Sequence, residues 1–412
     1  MESTATMDCP AANTVLFLPL KLGNEAISSR IVMAPMARLR NSRRHVPLVP
    51  MVPTYFAERA SYPGSLVITE MTMISPRASG YPHSPGIWTN EQVAAWKAVT
   101  AAVHAQGSRI YLQIGALGRV ANPRVLEEDA VLFGLPRDSV RFAAPSSIPC
   151  SKGHPTPAEL TTEEIDALIK DFATAARRAV FDAEFDGVEV HGGYGYLIDQ
   201  FIQDTSNQRT DCYGGNVENR SRFALEVMRA VVDAVGPERS AIRLSPWCSW
   251  QGMRMHDPMP QFIYLIQQLR GLKLAYLHLV EAFRARQTNS TEALFGDSND
   301  ILIRMWGMTS PIILNHGFDA PSAIEAIERY IGVADIAVSI GAPFMSNPDL
   351  IYRIKKGIPL ALPDRSKSHS VIDPDGYITY PFSDEWKAEQ DARLRETNLG
   401  ILRSVMEFYS TY

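Results

Sequence analysis

From residue 31 onward the chain alternates short, β-rich apolar runs with longer stretches of helical period, and this alternation constrains the fold more than any other feature. Eight runs stand out: Ile31 to Met36, Ser65 to Glu70, Arg109 to Gly115, Gly187 to Gly192, Ala241 to Pro246, Ala275 to Glu281, Pro311 to Gly317 and Ile336 to Gly341. Near-continuous apolar runs are the mark of strands buried on both faces, and such strands belong to parallel sheets. Helical segments separate them, among them Glu91 to Gln106, Thr161 to Phe185, Val217 to Val235, Pro260 to Leu272 and Pro321 to Ile331. Thr161-Thr-Glu-Glu reads as a capping box. Eight strands with crossover helices predict an α/β fold, a closed (β/α)8 barrel. The 412 residues would otherwise permit two or three domains, whereas one decorated barrel over 13–382 accounts for them. A doubly wound sheet is the alternative, but no strand is followed by G-x-G-x-x-G and no P-loop is present.

Three additions decorate the barrel. Val15 to Arg30 reads as an N-terminal hairpin closing the floor, with its turn near Gly23-Asn24. Arg119 to Pro157, polar and Pro-rich, is a long excursion after the third strand and so lies on the face where barrels place their sites. Residues 383–412 form a C-terminal helical extension with Trp386, Leu394, Leu399, Leu402, Val405 and Met406 at helical spacing, able to cap the barrel or pair two copies as a homodimer. Residues 1–12 are expected to be disordered.

Charge and cysteine usage exclude several partners. With 40 basic and 45 acidic residues the net charge is −5, leaving no basic excess for a nucleic acid, so a small molecule is the expected partner. Four cysteines lie far apart, as expected in a reducing compartment. The only apolar run near the N-terminus, Val15 to Leu20, is too short for a signal peptide or a membrane span, and a cytoplasmic location is expected.

In a (β/α)8 barrel the chemistry sits where strands finish. Here the strand ends offer Pro35, Met36 and Ala37; Glu70 and Met71; Gln113 and Gly115; His191, Tyr194 and Tyr196; Arg243; Glu281; Asn315 and His316; Gly341 and Ala342. Tyrosine gives a proton near neutral pH and histidine works either way, so this ring of residues suits proton transfer. No H-E-x-x-H and no Cys/His cluster suggests a metal. His104 and His278 fall inside a helix and a strand, as core or surface histidines do, and Arg43-Arg44 reads as part of a solvated loop.

At these same positions the chain resembles the old yellow enzyme family of flavin-dependent ene reductases, over roughly residues 13 to 382. The resemblance rests on M-A-P-M-A-R-L-R at Met33 to Arg40, E-R-A-S-Y-P-G at Glu58 to Gly64 and P-G-I-W at Pro85 to Trp88. It continues through H-G-G-Y-G-Y-L-I-D-Q-F at His191 to Phe201, Y-G-G-N-V-E-N-R at Tyr213 to Arg220, I-R-L-S-P at Ile242 to Pro246 and N-P-D-L at Asn347 to Leu350. It implies a (β/α)8 barrel that binds FMN at its strand ends, takes hydride from NADPH and reduces an activated alkene. It also implies roles. Tyr196 matches the proton donor, and His191 the first of two residues that grip the activating oxygen. Gln113 and Arg243 match contacts to the flavin ring, and Pro35 and Gly341, with Met36 and Gly317 beside them, match its backbone cradle.

The match then departs from the family pattern. Ala37 replaces a threonine, Met71 a small residue, Gly115 a tryptophan, and Tyr194 the second oxygen-gripping His or Asn. His316-Gly317 stands for a glycine pair, Ala342 for the arginine that holds the phosphate, and Ser368-His369 for an aromatic pair. Met71 is expected to intrude on the flavin's space, Gly115 to open volume, and loss of the arginine to weaken phosphate binding. These departures point to a redox-neutral enzyme without the usual FMN, which isomerises or cyclises a conjugated carbonyl or polyene. Tyr196, His191, Tyr194 and His316 would then be catalytic, and Met71, Tyr81, Gly115, Glu281, Ala342 and His369 would form the substrate pocket. An FMN- and NADPH-dependent ene reductase and an inactive binding barrel are the alternatives.

Overall fold

A computed structural model describes residues 13–136, 139–282 and 297–396. Its centre is the expected barrel, built from β1 (Ile31–Met33), β2 (Leu66–Ile68), β3 (Arg109–Gly115), β4 (Gly187–Gly192), β5 (Ser240–Leu244), β6 (Tyr276–Val280), β7 (Ile312–Asn315) and β8 (Ile336–Ile340). Every neighbouring pair is parallel, β8 pairs with β1, and pairing of β2 with β3 completes the ring. Val188, Val190, Ile242, Leu277 and Val338 show no exposed surface, as expected of strands covered on both faces.

The floor hairpin forms as read, with Leu20–Leu22 antiparallel to Glu25–Ile27, Leu22 opposite Glu25, and Gly23 at φ +58° in the turn. Leu20, Leu22 and Ile27 plug the barrel bottom against Val32, Leu66, Ile68, Tyr111, Ala241, Tyr276, Ile313 and Ala337. The helix Val217–Val235 has the bounds that its periodicity gives, and the helix Thr162–Arg177 starts at the expected capping box between Thr161 and Glu164. That second helix ends eight residues before Phe185 because a π-helical turn, Arg178–Asp182, follows it. The helices Met51–Arg59, Pro123–Leu132, Leu197–Ile202, Asp300–Trp306, Ala342–Ser346 and Leu350–Lys356 are additional. Each is too short to show a sustained 3.6-residue period in the sequence.

Two loop systems sit over the barrel top. The excursion after β3 carries the helix Pro123–Leu132, and Arg43 and His45 from the loop after β1 hold that helix in place. Arg43 donates to Asp129 at 3.0 Å, and His45 Nε2 lies 3.1 Å from the same carboxylate in a fully buried contact. The Arg44 guanidinium lies 5.2 Å from the Phe133 ring centre. The loop is therefore docked through Arg43, while Arg44 stays exposed; the acidic partners that dock it are some 85 residues away in the chain.

The second system is a strap, residues 367–377, laid along the loop after β1. Arg38 donates to Ser368 O at 3.0 Å and to Gly376 O at 2.7 Å, and Arg40 donates to Lys367 O at 3.0 Å and Asp373 O at 3.1 Å. Arg59 donates to Phe344 O, Met345 O and Tyr377 O at 2.8 to 3.1 Å while its guanidinium lies 3.8 Å from the centre of the Tyr55 ring, which stacks on Tyr377 at 4.0 Å. All three arginines are buried.

At the C-terminus residues 384–396 are helical, with Trp386 packed edge-on against Tyr352 at 5.0 Å, so this part of the extension lies on its own barrel. Leu394 is exposed, whereas Leu399, Leu402, Val405, Met406 and residues 1–12 fall outside the described residues. Among the described residues no helix is long and apolar enough to cross a membrane.

Replacing Arg59 by Met strands three buried carbonyls, and a stranded buried acceptor costs about 1 to 3 kcal/mol. Urea unfolding of Arg59→Met is expected to show a loss of about 2 to 4 kcal/mol, whereas Arg44→Met, which removes a largely exposed side chain, should lose less than about 1 kcal/mol.

Candidate active site at the barrel mouth

Inside the barrel, one layer below the mouth, lies a buried polar cluster that the sequence analysis did not anticipate. Glu189 on β4 accepts from Gln113 Nε2 at 2.7 Å with one carboxylate oxygen and from His278 Nδ1 at 2.7 Å with the other, and His278 Nε2 meets Ser339 Oγ at 2.9 Å. Burial alone would push the Glu189 carboxyl up, but attraction to His278 and Arg243 and the hydrogen bonds from His278 and Gln113 hold it below its ordinary value. Burial pushes the His278 imidazolium down against the pull of Glu189, so the pair is a carboxylate and a neutral imidazole with its proton on Nδ1. The signal was available: Glu189 lies two residues before His191 on one strand, so both side chains face the same side of the sheet.

Above this layer a cleft of about 320 Å³ opens at the strand ends. Pro35, Met36, Ala37, Met71, Gln113, His191, Tyr194, Tyr196, Arg243 and Gly341 line it, together with Ala34, Trp250 and Asn315. His191 Nδ1 accepts from Gly193 N–H at 3.3 Å, and burial, followed by the charge of Arg243, pushes its imidazole down to about 3. The ring is neutral near pH 7, and the engaged Nδ1 assigns its proton to Nε2. Tyr196 caps the helix Leu197–Ile202 and meets His191 edge-to-face at 4.9 Å. Burial pushes its hydroxyl up, opposed by a hydrogen bond from the Gln251 side chain. Between the two tyrosines, Gly195 N–H donates to buried Asp199 at 2.8 Å, and Tyr194, at φ +54°, donates its N–H to Ser245 Oγ at 2.7 Å. Arg243 donates to Asn315 at 2.5 Å, lies 5.1 Å from the Tyr194 ring centre, and keeps a buried Nε with no partner among the described residues.

Further site residues lie elsewhere. Glu281 and His316 line a second cavity behind Tyr194. Gly317, Gly115, Tyr81, Ala342 and His369 line neither cavity. Tyr81 is half-exposed near Tyr196, and His369 lies on the strap, where burial and the charges of Arg38 and Arg40 push its imidazole down. Arg119, from the excursion, donates to Gln251 O at 3.0 Å and Gly252 O at 3.2 Å, which fixes the loop after β5 over the cleft.

The expectation that Gly115 opens volume needs correction, whereas Met71 lines the cleft. A Cβ at Gly115 would lie 2.5 Å from Met71 Sδ and 2.9 Å from its Cγ. The methionine therefore turns toward β3 and fills the space above Gly115 that was read as open, rather than projecting wholly into the cleft.

A flavin, the cofactor that the resemblance implies, is matched on its ring side. The unpartnered Nε of Arg243 suits a carbonyl-bearing heterocycle edge, with Gln113 and the backbone of Pro35 to Ala37 on the same cleft. At the phosphate end the short helix Ala342–Ser346 opens with Ala342 and Pro343, which supply no cationic side chain.

Gly115→Trp alone is expected to destabilise the fold by about 1 to 3 kcal/mol through overpacking against Met71. In Met71→Gly/Gly115→Trp most of that loss should return, giving a coupling of about 1 kcal/mol or more in a double-mutant cycle followed by thermal melting.

Comparison with known proteins agrees with this geometry. Residues 15–361 match the model of the NADH:flavin oxidoreductase / NADH oxidase family. The chain is 49% identical over 379 residues to Chanoclavine-I aldehyde reductase fgaOx3 of Penicillium roqueforti, covering 92% of this chain and 99% of that protein. It is 44% identical over 377 residues to the Probable inactive reductase easA of Epichloe festucae var. lolii, covering 91% and 97%. Among solved structures, the Old Yellow Enzyme from Pichia sp. superposes with a TM-score of 0.80 at 35% identity, covering 91% of this chain and 95% of that one. The barrel, its strand-end residues and these likenesses together establish that the chain belongs to the NADH:flavin oxidoreductase / NADH oxidase family, as a member of the old yellow enzyme group.

Proposed function

We propose that the protein reduces a carbon–carbon double bond conjugated to an aldehyde or ketone in specialised metabolism, with FMN and NADPH as its redox partners. The arrangement that carries this reading is a pair of donors at the cleft: His191 and Tyr196 meet edge-to-face at 4.9 Å, burial favours the neutral form of each, and no other described residue lining the cleft offers a base of neutral-range strength. A donor-only site polarises a carbonyl and delivers a proton to carbon. A redox-neutral isomerisation also needs an acceptor for the departing proton, and a histidine pushed to about 3 serves that role poorly. The name of the Penicillium roqueforti relative, an aldehyde reductase, is in keeping with this chemistry.

His191 Nε2–H donates to the substrate carbonyl oxygen, and Tyr194, held by Ser245, closes the other side of the grip. Bound flavin would supply hydride to the β-carbon. Charge that builds on the carbonyl oxygen is met by Nε2–H and by the nearby Arg243 guanidinium, and Tyr196 gives its hydroxyl proton to the α-carbon. Gln251, donating to the phenol oxygen, stabilises the charge left on it.

Redox-neutral isomerisation or cyclisation without FMN remains the second reading, favoured by the lack of a cationic side chain at Ala342. An inactive barrel, which the name of the Epichloe relative suggests for that protein, is opposed by the joint retention of His191, Tyr196 and the layer beneath them.

In deuterium oxide the enzyme should consume one NADPH per product and place one solvent deuteron at the α-carbon, read by mass spectrometry and NMR. Product formed without NADPH would establish the redox-neutral reading instead. Tyr196→Phe should lower kcat by about 10² to 10⁴. With His191 pushed far down and Tyr196 pushed up, the affinity for an enal should stay flat from about pH 5 to 9 by calorimetry. Ala342→Arg should tighten FMN binding by roughly tenfold to a hundredfold in a fluorescence titration.

A further inference from the structure

The second cavity, of about 370 Å³, adjoins the catalytic cleft and shares Tyr194 and Trp250 with it as walls. Of its remaining lining the proposed reaction uses only the side-chain N–H of Gln251. Three side chains that define it sit on backbone of the left-handed region: Tyr194 at φ +54°, Gln251 at +61° and His316 at +125°. Among the described residues ten non-glycine positions have positive φ, and three of them converge here. Such backbone is costly for L residues and persists where surrounding structure enforces it, most often around ligands.

Tyr194, Trp247 and Trp250 form the aromatic part of the walls, with Cys248, Ser249 and Glu281 beside them, and Trp247 is fixed. Trp247 donates its indole N–H to Asn299 at 2.8 Å, Asn299 donates in turn to Val280 O at 3.0 Å, and the Arg254 guanidinium covers the indole at 5.0 Å. Trp250, at 65% exposure, forms the rim between cleft and cavity. Gln251 is anchored through its backbone carbonyl by Arg119, and its side-chain oxygen is buried without a partner among the described residues. A buried acceptor left open in this way is completed by a donor on a ligand.

Resting on the reductase reading above, we infer that the second cavity is a recognition subsite for the far end of the substrate, an aromatic ring carrying an N–H or O–H that donates to Gln251 Oε1. The carbonyl end lies at His191 and Tyr196, the ring stacks among Tyr194, Trp247 and Trp250, and His316 closes the inner end. The subsite selects extended, ring-bearing conjugated aldehydes over short ones.

The test uses the whole enzyme and three probes: crotonaldehyde, 4-hydroxycinnamaldehyde and its 4-methoxy analogue. Calorimetry without NADPH is expected to show the hydroxy compound binding roughly fivefold to tenfold more tightly than the methoxy compound, as one hydrogen bond would give. That ratio should fall to near one in Gln251→Leu. His316→Gly, which places glycine where the backbone favours it, should raise the melting temperature and weaken both ring-bearing aldehydes severalfold. An equal affinity for the two ring compounds in the wild type, or a ratio unchanged in Gln251→Leu, overturns the subsite. Turnover of crotonaldehyde with NADPH reports separately on the reductase reading, so either proposal fails without the other.

Discussion

A single buried carboxylate, Glu189, organises the upper half of this barrel. Its two oxygens tie β3 and β6 to β4 through Gln113 and His278, and the Ser339 contact extends the connection to β8. An ionised group in such a place persists only if its oxygens are hydrogen-bonded, and those contacts fix the rotamers of residues on four strands at once. Arg243, attracted to the same carboxylate, is held with its head at the base of the cleft, and its charge in turn suppresses protonation of His191. The neutrality of His191 thus owes to burial first and to this interior charge second, whereas at Tyr196 burial acts against the same charge.

The loops above are held by a different device. Arg38, Arg40, Arg59 and Arg119 are all buried, and they chiefly grip backbone carbonyls in distant loops. A guanidinium carries five donors in a fixed plane, so each one closes several loop carbonyls without a regular sheet or helix to do so. The irregular top of the molecule thereby acquires definition comparable to that of the strands beneath it.

Legibility in the sequence follows the same division. The barrel, the floor hairpin and the strand-end residues were readable because burial on both faces and the placement of barrel sites leave one-dimensional traces. Glu189 was passed over because a lone charge inside an apolar run gains meaning only when β3, β4 and β6 are brought side by side. The exchange of volume between Met71 and Gly115 crosses two strands, so Gly115 read alone points to an opening that Met71 fills. Arginine-to-carbonyl contacts leave no trace at the acceptor, since every residue has a carbonyl, and the strap is invisible for that reason; the docking of Arg43-Arg44 is invisible because its acidic partners lie some 85 residues away. The separation of Glu281 and His316 from the main cleft depended on where Tyr194 and Trp250 stand, which spacing does not encode.

The excursion after β3 grips both of its neighbours, the loop after β1 through Asp129 and the loop after β5 through Arg119. Three separate connections are thereby joined into a collar around one side of the mouth. A collar of this kind is stabilised as a unit, since releasing one loop leaves the buried Asp129 or Arg119 of another short of partners. The stability of each loop on that side is then shared with the other two, and a substitution in one loosens loops it never touches.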